Sequence, residues 1–154
     1  MVAQLNSKTK TLYDILEEAS KAPEPVALIR DAISKDKRVF DVLAYAFNPS
    51  FKMGMPESEP PYIPSTFPLG VAPMELLNLS SKLYIVYSKE TKQYKKEEIF
   101  IRWLEDLAPE EAKLLIAIKD RALPAAYPFL TDDVVCRIMG WKIEQLVSLR
   151  EKNA

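Results

Sequence analysis

The chain has 154 residues, 48% of them apolar and 28% charged, which excludes an intrinsically disordered protein and suffices for one domain. Its 21 basic and 22 acidic side chains nearly cancel, so any binding of a polyanion would have to use a local patch. The single cysteine, Cys136, excludes an internal disulfide and suits a reducing cytosol. The start of the chain has no apolar signal region, and no apolar run of about 18 residues occurs. We therefore expect a soluble, cytoplasmic protein.

Three helices are predicted in the first part of the chain, after residues 1–10, which we expect to be flexible. Apolar residues recur at helical spacing over residues 11–20, 25–34 and 36–47. Proline is favourable early in the second of these helices, at Pro25. The third helix ends where the sequence reads Asn48-Pro49.

Residues 48–73 form the most informative stretch, because they contain seven of the twelve prolines and two of the three glycines. Each proline removes a backbone donor and clashes with a preceding helical turn, so this segment cannot be a helix. Long loops of this kind are uncommon inside domains and are usually functional or disordered. The aromatic residues within it and just before it favour a packed loop. We therefore predict that this loop forms the functional surface of the protein.

The remaining residues predict further helices and one ambiguous segment. Leu83 to Tyr87 has the composition of a strand, yet no second strand is evident to pair with it, so we predict a helical or irregular segment. In the last helix we expect Ile143, Leu146, Val147 and Leu149 to be buried. The predicted helices cover residues 73–83, with a break near Ser80, and 96–107, 109–123, 131–140 and 142–151.

Together these patterns predict an all-α protein. We expect one helical domain spanning residues 1–154, with about seven or eight helices and one long proline-rich loop at residues 48–73.

The sequence offers little catalytic chemistry. It has no histidine, so the usual general base at neutral pH is missing. Cys136 lacks a histidine partner and a second cysteine, and the three glycines are too scattered for a phosphate-binding loop. The adjacent carboxylate pairs, among them Glu110 and Glu111, fall at predicted helix ends or outer faces, which favours solvated roles. We predict a protein that is not an enzyme, with no catalytic residues, no metal site and no cofactor.

One segment is locally basic. Residues 82–96 contain five lysines and one acid, Glu90, and three tyrosines lie between them. Lysines neutralise phosphates and tyrosines can stack on bases, so this pattern is compatible with a nucleic-acid contact. A solvated connector before the next helix explains the same charges, and most charge runs are of that kind.

Two stretches resemble a known family. Residues 38–52, RVFDVLAYAFNPSFK, are similar to a helix and aromatic loop in the N-terminal all-α domain of ATP-dependent DNA ligases, particularly those of T-even-type bacteriophages. Residues 114–123, LLIAIKDRAL, resemble a later helix of that domain, and Met139-Gly140-Trp141 resembles the end of the next one. The catalytic Lys-x-Asp-Gly motif of the ligases has no counterpart here. The resemblance implies a stand-alone relative of the DNA-binding module, encoded by a phage and acting in the host cytoplasm.

Two functions follow as hypotheses. The first is binding of double-stranded DNA through its backbone, by Lys52, Lys82, Lys89, Lys92, Lys95, Lys96, Lys119 and Arg121. The second is binding of a host or phage protein through the proline-rich loop, because aromatic and methionine side chains suit protein interfaces. Its anchors would be Phe51, Met53, Met55, Tyr62, Ile63 and Phe67. Neither hypothesis involves a membrane.

Overall fold

The computed structural model describes residues 10–153, and every regular element in that range is a helix. The helices are α1 (Leu12–Lys21), α2 (Pro25–Lys35), α3 (Lys37–Phe47), a 3-10 helix (Leu76–Ser81), α4 (Tyr84–Tyr87), α5 (Gln93–Asp106), α6 (Pro109–Lys119), α7 (Leu123–Ala126), α8 (Asp132–Met139) and α9 (Ile143–Lys152). The predicted all-α fold is confirmed. None of these helices is both long and apolar enough to cross a bilayer. Flexibility was expected of residues 1–10, and residues 1–9 of this range lie outside the described residues.

Local capping signals fix three helix starts and one helix end. The Thr11 hydroxyl accepts a hydrogen bond from the backbone N–H of Asp14, whose carboxylate accepts the N–H of Thr11, so α1 begins with a capping box. The side chains of Asp36 and Thr131 accept the backbone N–H groups of Arg38 and Val134 and so cap α3 and α8. Gly140 ends α8 with a φ of 75°, a left-handed conformation that glycine adopts without steric cost.

One apolar core joins the helices. α1 packs on α2 and α6, α3 packs on the 3-10 helix and α6, and α5 packs on α6. α8 contacts α2 and α3, and α9 packs on α8 at the periphery. The side chains at the centre are fully buried and come from most of these elements: Leu12, Leu16, Ile29, Val39, Leu79, Leu104 and Leu115.

The segment after the loop differs from the prediction. Instead of a helix over residues 73–83, the backbone stays extended through Glu75 and then forms the 3-10 helix. Met74 pairs with Leu107 in an isolated parallel bridge, and its N–H donates to the Asp106 carbonyl at 3.3 Å. This contact holds the chain extended where it crosses the end of α5. Tyr84 to Tyr87 forms one helical turn, in agreement with the prediction.

One helix end and one set of buried residues were also predicted wrongly. α6 ends at Lys119 rather than at residue 123, because Arg121 adopts a left-handed backbone with a φ of 54°. In α9 only Leu146 is buried, whereas Ile143 and Val147 are each 40% exposed. The reason is that α9 is a peripheral helix packed mainly on α8, so it buries a narrower stripe than its sequence indicates.

Candidate interaction surface formed by the proline-rich loop

The proline-rich loop, residues 48–73, has no helix or strand of its own, and its polar backbone groups bind charged side chains. The first of these is Lys96 on α5. Its ammonium donates to the carbonyl of Met53 at 3.2 Å, and the residue is only 7% exposed. A buried ammonium requires hydrogen-bond acceptors, since burying an unpaired charge is costly. Lys96 therefore fixes the loop to the core.

The end of α6 holds the next part of the loop. The Lys119 ammonium donates to the carbonyls of Pro56 at 2.7 Å and Ser58 at 3.1 Å, and it pairs with Asp120. The Asp120 carboxylate also accepts the backbone N–H of Ser58 at 3.1 Å. Because the Lys119 side chain is 2% exposed, this group is a buried brace and not a solvated charge.

Three more side-chain contacts hold the two ends of this region. The Arg121 guanidinium donates to the carbonyls of Asn48, at 3.2 Å, and of Phe51. Lys52 donates to the carbonyl of Asn153 beyond α9. Further along, the backbone N–H of Ile63 donates to the Glu105 carboxylate at 3.0 Å. The loop is thus immobilised along residues 48–63 although it lacks secondary structure.

An aromatic cluster supports the start of the loop from below. The rings of Tyr45 and Tyr87 stack at 4.8 Å, and the ring of Phe51 lies 4.8 Å from Tyr45 and 5.8 Å from Tyr87. The Tyr87 hydroxyl donates to the Tyr45 carbonyl at 3.3 Å. Burial raises the pKa of the Tyr87 hydroxyl well above its usual value. The cluster is part of the core and not an open stacking platform.

The predicted protein-binding anchors separate into two groups. Phe51 lies in the aromatic cluster, Met53 is buried, and Met55 and Tyr62 pack against the core. These side chains brace the loop. Met53 is 3% exposed, so placing it on a contact surface was wrong, whereas Phe51, Met55 and Tyr62 are half-buried. Ile63 and Phe67 are exposed by 78% and 48%. Val71, which the sequence interpretation missed, is 62% exposed.

The predicted phosphate-binding cations also fall into two groups. Lys96 is buried, so its assignment to a DNA contact was wrong, and Lys52, Lys119 and Arg121 already bind backbone carbonyls. Lys96 shares one face of α5 with Phe100, Trp103 and Leu104, and this helical spacing was the signal that marked it as inward. The other four, Lys82, Lys89, Lys92 and Lys95, are exposed and their side chains bind no backbone carbonyl within residues 10–153.

Two large clefts and a smaller one of about 100 Å³ border the loop. The first has a volume of about 330 Å³ and lies between the loop and α5, with a floor that includes Phe100 and Ile101 and a rim that includes Glu57, Glu59 and Glu97. The second, of about 360 Å³, lies between the start of the loop and α8 and α9. Its charged residues are Lys52, Arg121, Asp132 and Arg150, and Arg150 binds Asp132 through two hydrogen bonds of 2.8 Å. The cations of the second cleft are therefore already used within the fold.

A comparison of the sequence with family models adds one finding. The model of a family of unknown function, DUF6433, matches residues 5–125. The chain belongs to the DUF6433 family. Neither the curated proteins nor the solved structures contain a match to it. The part of the chain that defines it as a DUF6433 protein includes the whole proline-rich loop and the clamping residues Lys96, Lys119 and Arg121, whereas α8 and α9 lie beyond the match.

One buried carboxylate in this DUF6433 protein was not expected. Glu111 is 1% exposed, and one of its oxygens accepts the backbone N–H of Leu76 at 2.9 Å. Burial, reinforced by the charge of Glu75, raises the pKa of Glu111 to about 7, although the nearby backbone N–H groups of Leu76, Tyr13 and Leu12 oppose the shift. Its other oxygen has no hydrogen bond of normal geometry within residues 10–153. Glu111 lines neither cleft described above and caps the 3-10 helix.

Proposed function

We propose that this DUF6433 protein is a protein-binding module that presents part of its proline-rich loop to another protein. The contact region is the segment from Pro60 to Met74, which contains no charged residue. One observation carries the proposal: hydrogen bonds with side chains of α5 and α6 fix the loop up to Ile63, yet Ile63, Phe67 and Val71 are exposed. Exposed apolar patches on soluble proteins commonly mark interaction sites.

The fixed backbone supports this proposal because it lowers the conformational entropy that is lost on binding. A flexible loop loses conformational entropy when it is ordered by a partner, which weakens the complex. Here the contacts of Lys96, Lys119 and Glu105 already order residues 53–63. The prolines at positions 60, 61, 64 and 68 restrict the backbone further. The anchored residues up to Ile63 therefore bind a partner without that cost, and the prolines lower it for the residues that follow.

The test compares two double variants, each of which removes two exposed apolar side chains. Ile63→Ser with Phe67→Ser removes the proposed contact, and Ile143→Ser with Val147→Ser removes exposed apolar side chains on α9. The tagged proteins are used to capture partners from the cells that naturally contain the protein, and captured proteins are quantified by mass spectrometry. We expect the loop variant to lose a specific partner that the α9 variant retains. Equal capture by both variants would contradict the proposal.

The same proposal treats the protein as cytoplasmic and non-enzymatic. Cys136 is a free, buried thiol, which suits a reducing compartment. Glu111, the buried carboxylate, is occupied with a helix start and does not line either cleft.

Binding of double-stranded DNA is a second candidate function, supported by a different surface. The four exposed lysines at positions 82, 89, 92 and 95 are accompanied by the exposed rings of Tyr84 and Tyr94. Lysine and tyrosine side chains together suit contacts to a phosphate backbone. The ligase resemblance points the same way. This surface is smaller than the sequence indicates, because Tyr87 and Lys96 face the interior.

A titration of fluorescent duplex DNA at two salt concentrations tests this second function. If the lysines bind phosphates, affinity falls steeply as salt rises, because bound counterions are released on association. The triple variant Lys89→Ala, Lys92→Ala, Lys95→Ala should bind more weakly with a shallower salt dependence. The control replaces exposed lysines elsewhere, Lys21, Lys35 and Lys142, and changes the net charge equally. No binding at low salt would exclude this function.

A further inference from the structure

The cleft between the proline-rich loop and α5 combines an apolar floor with a negative rim, and we call it the acidic cleft. Phe100, Ile101 and Met55 contribute apolar surface, and Glu57, Glu59 and Glu97 contribute carboxylates, around a volume of about 330 Å³. Pro61 also lines the cleft and lies two residues before the exposed Ile63. The acidic cleft is therefore continuous with the proposed contact segment.

The negative charge of the acidic cleft is not neutralised within the described part of the chain. Its lining includes one cation, Lys119, which is occupied by the carbonyls of Pro56 and Ser58 and by Asp120. Among residues 10–153, no ion pair involves Glu57, Glu59 or Glu97.

The carboxylates also retain free acceptor capacity. Glu97 accepts one hydrogen bond, from the Gln93 amide at 2.9 Å, and Glu57 and Glu59 accept none from the described residues. Burial, and then the negative charge of Glu59, raise the pKa of the Tyr62 hydroxyl above its usual value. The second of these effects reflects the negative charge near the cleft. A carboxylate has about four acceptor positions, so each of these groups can bind a further donor.

A ligand that fits this arrangement must be both apolar and cationic. The floor needs a hydrocarbon stem, and the rim needs a charged group with several donors. An arginine side chain has both, since its methylene groups pack on apolar surface while its guanidinium binds carboxylates through parallel hydrogen bonds. Arginine is also enriched at the centres of protein interfaces.

We propose that the acidic cleft receives an arginine side chain of the partner that binds the exposed part of the loop. This inference rests on the proposed protein-binding function. The methylene stem of the arginine lies along Ile101 and Met55, and its guanidinium binds the carboxylates of Glu57, Glu59 and Glu97. The charge-free segment supplies apolar contact area, and the cleft supplies the charge that selects the partner.

The test needs no knowledge of the partner, because a minimal probe replaces it. The probe is N-acetyl-arginine methylamide, and its matched control is the citrulline analogue, which has a similar shape but no charge. Each is titrated into the ¹⁵N-labelled full chain and followed by NMR. We expect the arginine probe to change the chemical shifts of the backbone amides of Glu57, Glu59 and Ile101, and these changes should saturate with a dissociation constant in the millimolar range. The citrulline probe should produce none that saturate.

A pair of charge variants completes the experiment. The first is a triple variant, Glu57→Gln, Glu59→Gln and Glu97→Gln. It should weaken binding of the arginine probe about fivefold or more, because three charge-assisted contacts are lost. The control, Glu24→Gln, Glu90→Gln and Glu151→Gln, removes the same number of exposed charges elsewhere and should leave binding unchanged. Equal shifts from arginine and citrulline, or equal binding by both variants, would overturn the inference.

The outcome is separable from that of the protein-binding function. If a partner depends on Ile63 and Phe67 but is captured equally by the cleft variant, the arginine site is wrong and the contact segment stands. If the probe binds as expected but the loop variant captures the same proteins as the α9 variant, the contact segment is wrong.

Discussion

The ammonium of Lys96 on α5 lies 3.2 Å from the carbonyl oxygen of Met53 in the proline-rich loop, and both residues are buried. The two residues are 43 positions apart in the chain, so this hydrogen bond joins distant segments. An irregular loop has no regular hydrogen-bond ladder, and its buried carbonyls need other donors. Lys96 supplies one of these donors where a helix or sheet would have used a backbone amide.

Replacing Lys96 with methionine should therefore destabilise the protein. The variant leaves the Met53 carbonyl without its donor, and we expect a loss of about 1–3 kcal/mol in the free energy of unfolding. Lys95→Met is the control, because Lys95 is exposed and its removal should change stability by less than about 0.5 kcal/mol. Urea denaturation measures both. Equal stability of the two variants would show that this hydrogen bond does not hold the loop.

Glu111 predicts a pH dependence of stability. Its pKa is raised from 4.5 to about 7 in the folded state, so the folded protein binds a proton more tightly than the unfolded chain. Stability from this group is fully present below about pH 4.5 and is lost as pH rises through about 7. The shift corresponds to a loss of the order of 3 kcal/mol.

The variant Glu111→Gln keeps the shape of the side chain and removes the titration. The difference in unfolding free energy between wild type and variant should therefore change between pH 4.5 and pH 7 in favour of the variant. Glu110→Gln, at an exposed neighbouring position, is the control and should show no such trend. A pH-independent difference for Glu111→Gln would mean that folding does not raise the pKa of this carboxyl group.

Arg121 combines a left-handed backbone with a side chain that binds the loop, and two variants separate these features. Arg121→Ala and Arg121→Gly both remove the guanidinium contacts to Asn48 and Phe51. Glycine adopts the φ of 54° without steric cost, so Arg121→Gly should be more stable than Arg121→Ala by about 1 kcal/mol. Thermal unfolding of both proteins checks the order. A more stable alanine variant would contradict the assignment of backbone strain at this position.

Phe51 and Ile63 should respond differently to truncation, although the sequence placed both on one contact surface. Phe51→Ala removes a ring from the cluster with Tyr45 and Tyr87 and should destabilise the fold by about 1–3 kcal/mol. Ile63→Ala removes an exposed side chain and should change stability by less than about 0.5 kcal/mol. Chemical denaturation measures both effects. A destabilising Ile63→Ala would show that this residue packs within the fold rather than facing a partner.

The helices could be predicted because their signals are local. Thr11, Asp36, Thr131 and Gly140 act on backbone groups within a few positions, so their sequence context is sufficient. The 3-10 helix could not be predicted in this way. Its start depends on Glu111, which is 35 positions from the Leu76 amide that it binds.

The candidate site was only partly predictable for the same reason. Composition identified the proline-rich loop and its aromatic residues, but not which of them face inward. The side chains that donate hydrogen bonds to the loop carbonyls are distant in sequence. Lys119, for example, is 63 positions from Pro56. A lysine that binds a carbonyl and one that is free in solvent look alike in sequence. The position of Lys96 on the apolar face of α5 was the exception, since that spacing can be read directly.

The hydrogen bonds that hold the proline-rich loop can form only late in synthesis. Met53 leaves the ribosome well before Lys96, Lys119 and Arg121, so the loop carbonyls near residues 48–58 lack their donors until α5 and α6 have been made. At typical elongation rates this interval lasts roughly 2–10 seconds. During that time Phe51 and Met53 belong to an unanchored, apolar nascent segment. Chaperone binding and proteolysis should therefore concentrate on this stage of translation rather than on the finished protein.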